Sequence, residues 1–166
     1  LMIFRSLVPI TVERSVNLSK GIDNWLTEDR EKEAGWVPDN YMSYLQRYLK
    51  YLEKNGRTDK VIAETRRSCK EIVRKLGDPR SSGNFYRRGM VVGSVQSGKT
   101  ANFNAVINSS IDVGYELIIV FAGLMEDLRF QSQKRLELDV VGKWVGGQNY
   151  MGVGAISPFG GPHPPA

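Results

Sequence analysis

Two stretches of the chain repeat apolar residues at helical spacing. Tyr41, Tyr44, Leu45, Tyr48, Leu49 and Leu52 recur three and four positions apart, which predicts a helix with one apolar stripe. Asp39 is placed to cap its start and Asn55-Gly56 to end it. A second helix is predicted from Thr58, a suitable cap, to Leu76. Its inner side is Val61, Ile62, Cys69, Ile72, Val73 and Leu76, and Gly77 stops it. The short connection predicts an antiparallel helical hairpin over about 39–76. Aromatic residues at this spacing point to core packing more than to ligand binding. Before the hairpin the pattern is weak, and Trp25 and Trp36 are the expected anchors of that lead-in.

Past the hairpin the pattern changes. Residues 77–84 are turn formers and read as a linker. Gly89-Met90-Val91-Val92 predicts a short strand. Thr100 to about Val113 predicts a helix that packs through Ala101, Ala105, Val106 and Ile111, and Gly114-Tyr115 breaks it. Leu117-Ile118-Ile119-Val120-Phe121 is a continuous apolar run that suits a strand covered on both faces. Strand, helix and strand make a right-handed βαβ unit. Another helix is expected over Glu126–Leu138. From Val141 the chain is rich in Gly and Pro and reads as irregular or disordered. The expected fold is therefore α/β: a truncated parallel-sheet core of the P-loop NTPase (RecA-like) kind over 85–142, after a helical region over 1–80 and before an irregular tail over 143–166. There is no internal repeat.

The chemistry sits between the first predicted strand and its helix. Gly93-Ser94-Val95-Gln96-Ser97-Gly98-Lys99-Thr100 matches G-x-x-x-x-G-K-[ST] at every fixed position. A polyphosphate must be wrapped closely by backbone, and Gly93 and Gly98 permit that approach. The loop amides form an anion nest, and the helix behind directs its positive end at the phosphates. Lys99, the expected catalytic residue, brings an ammonium to the β- and γ-phosphates, and the Thr100 hydroxyl is placed to ligate Mg²⁺. The expected cofactors are thus ATP and Mg²⁺. Arg129, Gln131, Gln133, Lys134 and Arg135 follow the second predicted strand, where ligands gather in open α/β sheets, and are candidate nucleic-acid contacts. An ordinary polar helix face is the alternative for them. Hydrolysis also needs an acid at the end of another strand to hold Mg²⁺. After Val120 the chain has Phe121-Ala122-Gly123 instead, which reads as the N-terminal piece of a longer enzyme.

Composition adds limits. The 166 residues are 41% hydrophobic and 25% charged, ordinary for a globular protein. No apolar run approaches the roughly 18 residues of a membrane span, and no secretory leader is read. A single cysteine, Cys69, excludes an internal disulfide, fits a cytoplasmic setting and reads as a small buried hydrophobe. His163 has no ligand cluster near it. The net charge of +5 is uneven: Arg57 to Arg88 holds ten basic residues against four acids. Such a stripe attracts nucleic-acid phosphates or is a solvated helix face.

The segments Gly89–Phe103, Gly114–Gly123, Leu128-Arg129 and Gln131–Leu136 resemble the opening of the Z-one domain, with Val95-Gln96-Ser97-Gly98-Lys99-Thr100-Ala101-Asn102 the most specific part. That domain occurs in large bacterial proteins named as candidate endonucleases, similar to superfamily-two helicase-type ATPases and associated with DNA repair or phage defence. The resemblance covers about residues 87–142. It implies ATP binding and a DNA-linked role, with DNA engaged through the full-length protein. Only the loop residues carry over; the nuclease centre does not. Two other classes stay open: a small-molecule P-loop kinase, disfavoured by the 92 residues before the loop, and a passive nucleotide sensor or DNA-docking module.

Overall fold

The computed structural model describes residues 25–37, 40, 42–92, 98–143 and 149–156. Five α-helices follow one another: α1 (Glu28–Glu33), α2 (Tyr44–Lys54), α3 (Asp59–Val73), α4 (Lys99–Asp112) and α5 (Glu126–Leu136). α5 runs on into a π-helical turn, Glu137–Val141, and a 3-10 turn spans Gly152–Ile156.

Both predicted helices are present, with shifted ends, and they touch each other. Thr58 caps α3 as expected, its Oγ1 accepting from the Val61 amide. α2 begins at Tyr44, later than the pattern suggested, because Ser43 is its cap and accepts from the Gln46 amide. Asp39 and Tyr41 lie outside the described residues. The stripe of α2 is buried as read: Leu45, Tyr48, Leu49 and Leu52 enter the core. Each such side chain contributes on the order of 1.5–3 kcal/mol by leaving water. From α3 come Cys69 and Val73. Cys69 is fully buried, and burial pushes its thiol up to about 11.

α4 completes the core by packing on both α2 and α3. Its buried face is mostly polar. Ala105 and Ile107 are buried, but so are Asn104, Asn108, Ser109 and Ser110. Local bonds satisfy part of this polarity: Ser109 Oγ donates to the Ala105 carbonyl at 2.7 Å, and Asn108 Nδ2 to the Asn104 carbonyl at 2.8 Å.

The expected α/β sheet core is not present. Among the described residues there is no β-strand, only one isolated antiparallel bridge between Lys143 and Tyr150. Gly89–Val92 and Leu117–Phe121, predicted as strands, join no ladder. Val92 is 80% exposed and Phe121 93%. The physical reason is that an apolar β-branched run is necessary for a buried strand and not sufficient. Strand formation is settled by the neighbouring strands and the layer that covers them, and neither is in place around these runs.

In the Gly-rich segment after Val141, residues 142–143 and 149–156 are described, and part of them enters the core. Val153, Gly154 and Ile156 are buried, and Val153 belongs to the main core. The glycines serve close packing here: a β-carbon on Gly152 would collide with the Leu138 carbonyl, and one on Gly154 with the Gly142 carbonyl.

One carboxylate fastens the lead-in and α2 to α4. Asp112, the last residue of α4, accepts from Trp36 Nε1 at 2.9 Å and Ser43 Oγ at 2.8 Å, and from the Tyr44 and Leu45 amides at 2.8 and 2.9 Å. The two amides belong to the first turn of α2, where no intrahelical acceptor exists and the helix dipole favours an anion. Trp25 anchors the other side, its Nε1 donating to the Leu76 carbonyl at 2.8 Å. α1 is held to α3 by Glu31, which pairs with Lys70 at 2.6 Å and Arg74 at 2.9 Å.

Asp112→Ala orphans these four donors and is expected to cost about 2–4 kcal/mol. Urea denaturation with Glu28→Ala as an exposed control measures it; a loss no larger than the control's rules out the fastening role. Burial also holds the Asp112 carboxyl above its usual range, against the pull of its four bonds. The folded state therefore retains a proton that the unfolded state has released. This contribution is complete below the ordinary Asp value and lost as pH rises from there through the raised one. Asp112→Asn should flatten that part of the stability–pH curve.

Candidate functional site

The described part of the predicted phosphate loop is Gly98, Lys99 and Thr100. Gly93, Ser94, Val95, Gln96 and Ser97 lie outside the described residues, and so does the cup of amides expected from them. Gly98 caps α4 in the left-handed region, with φ of 81°. Gly98 itself offers this helix end no side-chain cap. A β-carbon at Gly98 would meet nothing within 4 Å, so the position is open and its demand for glycine comes from the backbone angle. Lys99 and Thr100 open the helix and are solvent-exposed.

Three elements hold this helix start in place. Tyr48 Oη, from α2, donates to the Ala101 carbonyl at 3.2 Å. Asn102 Nδ2 donates to Ser68 Oγ of α3 at 2.5 Å. Arg135 Nη1, from the end of α5, donates to Thr100 Oγ1 at 2.9 Å. The first turn of α4 is thus fixed from the hairpin on one side and from α5 on the other.

The Arg135 contact is the first rung of a polar ladder. Thr100, Asn104 and Asn108 are spaced four apart and share one face of α4. Opposite them, Arg135 and Asp139 are also four apart. Asn104 Nδ2 donates to Asp139 Oδ2 at 2.6 Å, and Asn108 Nδ2 to the Asp139 carbonyl at 3.0 Å. Burial holds the Asp139 carboxyl above its usual range, while the Asn104 bond and the charge of Arg135 pull it back. The sequence reading missed Asn104, Asn108 and Asp139, whose signal, polar residues at i, i+4 spacing behind the motif, is visible only once the two helices face each other.

The other predicted nucleic-acid contacts lie on α5, a helix with no buried residue. Arg129 pairs loosely with Glu126 at 3.7 Å, and Gln133 Nε2 donates to Glu137 Oε1 at 3.0 Å. Gln131 and Lys134 are exposed on the same helix. Arg135 is turned toward Thr100.

The basic stripe over Arg57–Arg88 is compensated in part. Arg67 is paired with Glu64 and Glu71, Lys70 and Arg74 with Glu31, and Arg80 with Glu33, while Arg66 donates to Gln46 Oε1. These five of the ten basic residues thus have side-chain partners, and four of the five are paired with acids. A surface cleft on α2 and α3, lined by Glu53, Asp59, Ile62 and Arg66 among others, includes none of the loop residues. Among the described residues no group of His, Cys, Asp and Glu is arranged to hold a metal ion, and no helix is long and apolar enough to cross a membrane. No protein-family model, curated protein or solved structure matches the chain.

Gly98→Ala is expected to cost about 1–2 kcal/mol, the strain of a left-handed angle at a residue bearing a β-carbon. Gly89→Ala, which also meets open space, is the control and should be close to neutral. Equal effects in urea denaturation would contradict the conformational role of Gly98.

Proposed function

We propose that the chain binds Mg²⁺–ATP at Gly93–Thr100 and is the nucleotide-binding part of a DNA-acting ATPase of the Z-one type. The observation that supports this most is the coincidence of sequence and conformation at one point. The last glycine of a full G-x-x-x-x-G-K-T match is left-handed and starts a helix whose first two residues are Lys99 and Thr100. The first-turn amides of a helix have no acceptor within it, and they and the helix dipole suit an anion. Lys99 adds a positive charge there, and Thr100 presents a hydroxyl oxygen of the hard type Mg²⁺ prefers. The residues present therefore fit the group. Bound Mg²⁺–ATP supplies a polarised terminal phosphate; the chain's own part is to grip and orient it.

The DNA-linked half of the reading rests on the resemblance and on the polar, exposed α5, where Arg129, Gln131, Gln133 and Lys134 are the proposed backbone contacts. A second reading, a nucleotide sensor without turnover, is favoured by the absence of a parallel sheet among the described residues. Without it there is no strand end to present a Mg²⁺-holding acid. A small-molecule kinase needs the same sheet and gains no support.

Titration calorimetry with Mg²⁺–ATP is the test. Wild-type protein should bind, and Lys99→Ala should bind at least roughly tenfold more weakly, the scale of a charge-assisted contact. Absence of binding heat in the wild type would falsify the reading. Phosphate release in the same samples separates the ATPase from the sensor.

A further inference from the structure

α5 is bare on every side. None of its residues is buried, and it packs chiefly on the π turn that continues it. A helix of 11 residues without a packed face is marginal in water, so it calls for a partner. The run before it has the same lack. Leu117, Ile119 and Phe121 are exposed, while Ile118 and Val120 between them are half-buried. Alternate residues thus form one bare apolar row. Leu124, Met125 and Leu128 carry the row onto α5. The two parts adjoin: a β-carbon on Gly123 would lie 3.7 Å from Leu128 Cδ1. At their exposures these six side chains offer on the order of 800 Å². That is about what one partner brings to a standard interface.

We propose that this face is the contact between two copies of the chain, closed by a two-fold axis that sets their α5 helices antiparallel. The charge order of α5 selects a second copy as the occupant. Its first turn carries Glu126 and Asp127, and its last turn Lys134 and Arg135. Two such helices laid antiparallel bring acid to base at both ends and oppose their dipoles. The stretch from Leu117 to Met125 holds no charge, as the centre of an interface requires. A two-fold contact is self-complementary, so the bare row meets its own copy and leaves nothing to recruit a third. The proposal goes beyond nucleotide binding and does not rest on it.

The experiment is sedimentation velocity of the full chain over roughly a hundredfold range of concentration. The wild type should pass from one chain mass to two and no further. Phe121→Ser should weaken association at least roughly tenfold and leave the circular dichroism spectrum unchanged, because Phe121 is 93% exposed in the single chain. Asp127→Lys and Lys134→Asp should each weaken it several-fold, since each sets like charges against one another. Mixing these two variants should restore dimers by pairing opposite charges. A chain that stays single at every concentration overturns the proposal, whether another segment or another protein covers the face. Growth beyond two copies overturns the two-fold closure. Dimers that ignore Phe121→Ser form through another face, and charge variants that do not recover on mixing exclude the antiparallel contact. Either result overturns the proposal. If Phe121→Ser disturbs the spectrum, the two charge variants on the helix surface decide it alone.

Discussion

The half-buried carboxylate of Asp112 is the constraint on which the architecture depends. It lies at the end of α4 and serves the start of α2, so it couples two helix termini of opposite dipole sign. It also takes the indole of Trp36 and the hydroxyl of the α2 cap. Four donors converge on two oxygens in a poorly solvated place. Such a node fixes geometry, because any shift of one helix leaves polar groups without partners. The lead-in, the hairpin and α4 then occupy one arrangement, and the start of α4, where the phosphate motif ends, inherits that rigidity at its far end.

The helix start is rigid for a second reason. Tyr48, Ser68 and Arg135 reach Ala101, Asn102 and Thr100 from three different helices. Two of these come from the core hairpin and one from the exposed α5. The first turn of α4 is therefore tied twice to the core and once to an exposed helix.

Legibility in the sequence followed the kind of force involved. The hairpin could be read because area burial repeats with helical period, and Tyr44 to Leu52 and Val61 to Val73 display that repeat. The α4 packing face could not, since Asn104, Asn108 and Ser109 are buried through specific partners that periodicity does not encode. Val91 and Ile119 misled because their apolar, β-branched neighbourhoods satisfy a local criterion for a strand, whereas a ladder is a non-local event. At the site, the motif and the need for glycine at position 98 were legible from chemistry. The approach of Arg135 to Thr100 was not, because 35 residues separate them and only the facing of two helices brings them together. The Gly-rich segment was misjudged in the opposite direction. Glycine was taken as freedom, but at Gly152 and Gly154 it permits contact.

That last contact has a mechanical consequence. The 3-10 turn at Gly152–Ile156 lies main chain to main chain on the π turn, and the Met151 amide donates to the Gly142 carbonyl at 2.9 Å across the seam. Any side chain at the two glycine positions would act as a wedge against the Leu138 or Gly142 carbonyl. The seam is thus closed by backbone alone, and a single added methyl group would force it apart.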